Sequence, residues 1–128
     1  MLRSSSVGFA EYSFLGTHVF AEFYGVDKYL LNNENELITI MRQAVEASGA
    51  TILNVISHKF DPEGMTALLL LSESHASIHT YPDRSAAFID IFTCGNCDPE
   101  TSVSELKKLM NPDGLTYKCI VRGNNEYA

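Results

Sequence analysis

The chain has 128 residues, enough for one domain around one core rather than two. Hydrophobic residues make up 45% and charged residues 20%, which excludes disordered, collagenous and low-complexity classes. Nine basic against sixteen acidic side chains give a formal charge of −7, so a nucleic-acid partner lacks its basic footprint and a cationic small molecule suits the sign better.

Residues 1–15 read as an irregular arm with scattered aromatics, followed by a single domain over 16–128. Thr17 to Tyr24, rich in Val, Phe and Tyr, predicts a strand. Asn32 and Asn33 form a turn that can cap a helix, and Leu37, Met41, Ala44, Val45 and Ser48 then repeat at helical spacing up to Gly49. Ala50 to Phe60 predicts a second strand, Asp61-Pro62-Glu63-Gly64 a turn, and Thr66 to Ser72 a buried strand. Strands over His75 to Tyr81 and Ala86 to Thr93 follow. Pro99 then suits the first turn of a helix striped by Val103, Leu106, Leu109 and Met110. Pro112-Asp113-Gly114 ends that helix, and Leu115 to Val121 makes the last strand. The order β-α-β-β-β-β-α-β, with hairpin-like links in the middle, predicts an α+β fold. It is a two-layer sandwich of a mostly antiparallel sheet with two helices on one face.

The longest apolar run, Ala67 to Leu71, falls far short of the roughly 20 residues that cross a bilayer. The N-terminus carries Arg3, three serines and then Glu11, without the continuous apolar stretch of a signal peptide. Three cysteines, Cys94, Cys97 and Cys119, are too few for a disulfide scaffold. The expectation is a reduced, cytoplasmic protein with no membrane partner.

Polar chemistry concentrates in Ser72-Glu73-Ser74-His75-Ala76-Ser77-Ile78-His79-Thr80-Tyr81-Pro82, directly after the most apolar strand. Cys94 and Cys97 end a neighbouring strand. His75, His79 and the Cys94-Gly-Asn-Cys97 motif together mimic a zinc ligand set. On a strand, however, the two histidines stand about 13 Å apart and cannot share one ion, so no metal is expected. The CxxC spacing also permits dithiol redox chemistry, as in a non-enzymatic protein. Ser72, Ser74 and Ser77 lack the flanking glycines of a hydrolase elbow. A plain hairpin with satisfied polar groups stands beside all of these readings.

The segments LSESHASIHTYPD and AAFIDIFTCG closely resemble the prokaryotic pyruvoyl-dependent S-adenosylmethionine decarboxylases, whose pattern is close to ESHxxIHTxPE and then D-x-F-T-C-G. GTHVFAEFYG resembles the opening strand of that family, and the resemblance runs from about Gly16 to the C-terminus. It implies a proenzyme that cuts itself between Glu73 and Ser74, giving fragments 1–73 and 74–128. It implies that Ser74 Oγ attacks the preceding carbonyl to turn the amide into an ester, that His79 removes the Ser74 α-proton so that β-elimination releases the Glu73 carboxylate, and that the dehydroalanine left behind hydrolyses, losing ammonia, to a pyruvoyl group, without pyridoxal phosphate or metal. Decarboxylating an amino acid leaves an electron pair on Cα, and a protein-bound ketone that condenses with the substrate amine accepts it.

By the same resemblance Cys94 reprotonates the carbon, and Phe60 and Tyr81 sandwich the adenine. Asp83 stands where the family usually has a ribose-binding Glu, one methylene longer. Cys97 has no assignable family counterpart, and His75, next to Ser74, is the fallback for the α-proton. The resemblance implies a homodimer of cleaved protomers with active sites at the interface, and a product that serves as aminopropyl donor for spermidine. Relatives with the same processing motif decarboxylate ornithine or arginine, so those substrates remain the alternative.

Overall fold

The computed structural model describes residues 14–123. Six strands form one sheet: β1 (Gly16–Tyr24), β2 (Ile52–Lys59), β3 (Met65–Leu71), β4 (Ser74–Tyr81), β5 (Ala86–Cys94) and β6 (Gly114–Arg122). Their spatial order is β2-β3-β4-β5-β1-β6, and every neighbouring pair is antiparallel. Two long helices, α2 (Glu34–Ala47) and α3 (Pro99–Met110), pack on each other and on one face of the sheet. The α+β sandwich expected from the pattern is therefore the fold, with a sheet that is antiparallel throughout.

Local chemistry sets the helix ends. Asn33 Oδ1 accepts the Glu36 N–H at 3.1 Å, and Asp98 caps α3 in the same way with Pro99 at the first turn. Each cap satisfies one backbone donor that the helix cannot pair internally.

Three details differ from the pattern. A one-turn helix, α1 (Lys28–Leu31), precedes α2, capped by Asp27; four residues are too few for periodicity to reveal. Strand β2 begins at Ile52 rather than Ala50, and a bulge between Ile52 and Asn54 interrupts its ladder with β3. Helix α3 stops at Asn111, which adopts a left-handed φ of 49°, and Gly114 already belongs to β6. The arm expected over residues 1–15 falls mostly outside the described residues.

Strands β1, β3 and β5 alternate in burial, because side chains two apart share a face. Val19, Ala21 and Phe23 of β1, Ala76 and Ile78 of β4, and Ile89 and Ile91 of β5 face the helices and join Leu37, Met41, Leu106 and Met110 in the core. Phe23 is fully buried. Phe23→Ala is expected to destabilise the fold by about 3–5 kcal/mol, through lost transfer energy and the cavity left behind. Urea unfolding should show this as a lower midpoint with an unchanged slope.

Among the described residues, no helix covers the other face of the sheet. Ile56, Leu68, Leu70, Phe20, Phe88 and Ile120 stand there as exposed apolar side chains. All four histidines of the chain, His18, His58, His75 and His79, alternate onto this same face. Among the described residues, no helix is long and apolar enough to cross a membrane.

Candidate active site

Strands β3 and β4 are joined by the two residues Ser72 and Glu73, with Leu71 paired to Ser74. This hairpin end is held from three directions. Ser72 N–H donates to the Thr51 carbonyl at 3.0 Å, and Thr51 N–H donates to Glu73 Oε1 at 2.9 Å. The Cys94 thiol, at the end of β5, donates to the Glu73 carbonyl oxygen at 3.2 Å. Ser74 itself sits at φ 147°, a conformation that a residue with a Cβ avoids. Such backbone costs of order 1–3 kcal/mol and persists only where its surroundings impose it. Strain, nucleophilic hydroxyl and thiol donor thus converge on the one peptide bond between Glu73 and Ser74.

Electrostatics keep the thiol protonated. Burial, and secondarily the Glu73 carboxylate, push the Cys94 thiol above its ordinary range. Cys97 is shifted the same way, by burial first, then Glu73 and Cys94. Neither cysteine has the electropositive setting of a thiolate nucleophile or a reactive CxxC pair. Cys97 packs beside the core instead.

The remaining residues singled out in the sequence gather at the opposite end of the sheet. His79 lies five positions along β4 from Ser74, about 16 Å in an extended strand. Its Nδ1 is 3.0 Å from Thr66 Oγ1 on β3, which fixes the ring. Phe60, just past the end of β2, and Tyr81, at the end of β4, are both half-exposed. Their rings do not stack on each other: Phe60 leans on His58 at 4.7 Å between centroids, and Tyr81 on Phe88 at 5.0 Å. Phe60 pairs with Gly64 on the connection to β3, so the two aromatics flank that strand, roughly two strand spacings or 10 Å apart. Asp83 is exposed on the short 3-10 turn Pro82–Arg84 that follows Tyr81.

Residues 17–123 match the S-adenosylmethionine decarboxylase family profile. The chain belongs to the S-adenosylmethionine decarboxylase family. An S-adenosylmethionine decarboxylase proenzyme of Brevibacillus brevis is 45% identical over 117 residues, covering 91% of this chain and 88% of its own length. One from Methanococcus maripaludis is 39% identical over 110 residues, covering 85% and 90%. The crystal structure of the adenosylmethionine decarboxylase from Aquifex aeolicus superposes with a TM-score of 0.76 at 30% identity, covering 83% of this chain and 88% of that one.

Seen as a decarboxylase-family fold, the chain divides its candidate site in two. Glu73, Ser74 and Cys94 stand at one end of the sheet, and His79, Phe60, Tyr81 and Asp83 at the other. Two features escaped the sequence reading. Thr66, the partner of His79, carries no motif of its own; only strand register brings it there. The second is a polar cluster between the two ends. Asp90 Oδ1 lies 3.4 Å from His18 Nε2 and 3.5 Å from His75 Nε2, while Asp90 Oδ2 accepts from Ser77 Oγ at 3.0 Å.

The potential ligand atoms of His18, His75 and Asp90 lie within 4.8 Å of one another, close enough to suggest a metal triad. The chemistry of the donors argues otherwise. Arg122 Nη1 sits 3.2 Å from His18 Nδ1. The permanently charged guanidinium can only donate, so Nδ1 accepts and Nε2 carries the proton that faces Asp90.

Proposed function

We propose that this chain cleaves itself between Glu73 and Ser74 and then acts as a carboxy-lyase on S-adenosylmethionine, forming an aminopropyl donor for spermidine synthesis. The observation that carries the reading is the Cys94 thiol on the Glu73 carbonyl, beside a strained Ser74. Attack of Ser74 Oγ on that carbonyl builds negative charge on its oxygen, and a donor already aimed there stabilises the charge. Cleavage also relieves the Ser74 backbone of a conformation that its Cβ disfavours. Ser74 is the fitting precursor of a pyruvoyl group at the new N-terminus, a ketone that supplies the electron sink for decarboxylation. Cys94 then holds a proton at Sγ for the carbon that loses its carboxylate.

The reading includes a homodimer. His79, about 16 Å from Ser74 on the same strand, cannot reach that α-proton within one protomer. A second copy laid antiparallel on the bare sheet face supports the missing contact. The His79 end of one protomer then meets the Ser74 end of the other, and the exposed Ile56, Leu68, Leu70 and Phe88 are covered. In such an assembly Phe60 and Tyr81 of one subunit hold the adenine over the Ser74 of its partner, and either ring can attract the sulfonium charge.

The raised Cys94 thiol sets a pH expectation. As a general acid it works protonated, and its raised pKa keeps it so beyond the ordinary thiol value near 8.5. Turnover should therefore hold across neutral pH and fall only as pH rises through the elevated Cys94 pKa. A turnover profile falling off below pH ~8 through a thiol would contradict the assignment. Cys94→Ala should be slow at every pH, and Cys97→Ala near normal.

Ornithine or arginine is the second reading, favoured by the short and exposed Asp83. Loss of a charged hydrogen bond to the ribose costs about 1.5–3 kcal/mol, or roughly ten- to a hundredfold in affinity. Release of labelled carbon dioxide from S-adenosylmethionine, ornithine and arginine in parallel decides between them. Asp83→Glu should tighten S-adenosylmethionine and leave the two amino acids unimproved. Turnover of ornithine or arginine alone would overturn the substrate while leaving self-cleavage intact.

A further inference from the structure

Thr93, the residue before Cys94 on β5, is fully buried, and among the described residues its hydroxyl oxygen has no hydrogen-bond partner. Burying an unpaired hydroxyl is costly, and a valine of the same shape would avoid the cost. A buried polar group left unpaired in this way calls for a reason. The site beside it supplies one.

Strands β4 and β5 pair Ala76 with Ile91 and His75 with Phe92. One step further in that register, Ser74 stands opposite Thr93 and Glu73 opposite Cys94. The 3.2 Å contact of Cys94 Sγ with the Glu73 carbonyl oxygen shows that β5 does run on beside the hairpin end. Thr93 shares the helix-side face with Ile89 and Ile91. Ser74 follows Ala76 and Ile78 onto that same face, and its partner across the hairpin, Leu71, is a core residue. Directly opposed residues of an antiparallel pair have Cβ atoms about 4.5–5.5 Å apart, a separation that Ser and Thr hydroxyls bridge with a hydrogen bond. On its other side Thr93 faces Thr17 of β1, which leaves the oxygen unpaired as well.

We infer that Thr93 orients the nucleophile of self-cleavage: its buried oxygen accepts a hydrogen bond from Ser74 Oγ–H, which turns an Oγ lone pair toward the Glu73 carbonyl carbon. The inference rests on the self-cleavage proposed above. The bond forms on a turn of the Ser74 side chain about χ1, and the free lone pairs of Thr93 Oγ1 receive it. Thr93 and Cys94, consecutive on β5, then address the two reacting atoms of one step, the nucleophile and the carbonyl oxygen. Thr93 keeps its own proton and gains none. Ser74 Oγ bonds to the Glu73 carbonyl carbon, the bond from that carbon to the Ser74 nitrogen breaks, and the hydroxyl proton ends on that nitrogen, leaving the ester.

The test follows cleavage of freshly translated proenzyme by intact mass, with and without hydroxylamine, which splits esters but not this amide. Thr93→Val keeps the shape and removes the hydroxyl, and it should cleave about ten- to a hundredfold more slowly. Its uncut chain should resist hydroxylamine, because the block precedes the ester, whereas uncut His79→Ala should be split. Thr93→Ser, which restores a hydroxyl, should recover most of the rate. Stability separates this role from a structural one. In the uncleavable Ser74→Ala chain, adding Thr93→Val should leave the urea midpoint unchanged or raise it, since the hydroxyl it removes has no partner there. Wild-type-rate cleavage of Thr93→Val overturns the inference. So does an uncut Thr93→Val chain that hydroxylamine splits, a Thr93→Ser chain as slow as Thr93→Val, or a lower urea midpoint for Ser74→Ala/Thr93→Val than for Ser74→Ala. A wild-type chain that never cleaves overturns the self-cleavage reading itself.

Discussion

Ser74→Ala protein should stay a single chain of about 14.2 kDa, while the wild type should separate into Met1–Glu73 and Ser74–Ala128. This is the largest effect expected of any one substitution. Without Oγ nothing in the hairpin attacks the Glu73 carbonyl, and neither the Cys94 donor nor the strain at residue 74 replaces a nucleophile. The substitution removes one oxygen from a half-exposed side chain, so folding should be preserved and the uncut chain should unfold cooperatively. Intact mass of the two proteins after long incubation reads the result directly. A wild-type chain that remains whole, or a Ser74→Ala chain that is cut at the same bond, would sink the assignment of the cleavage site.

Co-production of Ser74→Ala with His79→Ala should restore cleavage to the His79→Ala chains, although neither variant is cleaved when made alone. The physical reason is the length of β4: Ser74 and His79 share a strand but lie at its two ends. In a mixed dimer the intact Ser74 of one chain meets the intact His79 of the other. With equal amounts and random pairing, about half of the His79→Ala chains sit in such dimers and become cleavable. Chains of distinguishable mass make the cut partner identifiable. His79→Ala alone should accumulate the ester and be split by hydroxylamine, since only removal of the α-proton is blocked. Mixed populations in which no His79→Ala chain is cut would show that each protomer completes its own site. The bare face bearing Leu68, Leu70 and Phe88 would then require another cover.

Much of this protein was legible from its residues. Alternation in AAFIDIFT and the apolar run before Ser72 gave the strands, because one face of an antiparallel sheet must be buried. Asn33 and Pro99 marked the helix starts, because helix ends need side-chain partners and leave the first N–H groups unpaired. The ESH and FTCG segments, by their likeness to a known family, named Glu73, Ser74, His79 and Cys94. The register of the ladder decided what those residues touch. It set Cys94 on the Glu73 carbonyl, gave His79 a partner in Thr66, and drew His18, His75, Ser77 and Asp90 from three strands into one cluster. It also placed His79 toward the other end of β4 from Ser74, five positions away. Spacing along a sequence states how many residues separate two groups. Only the extended strand, at about 3.3 Å per residue, turns five positions into a separation of about 16 Å.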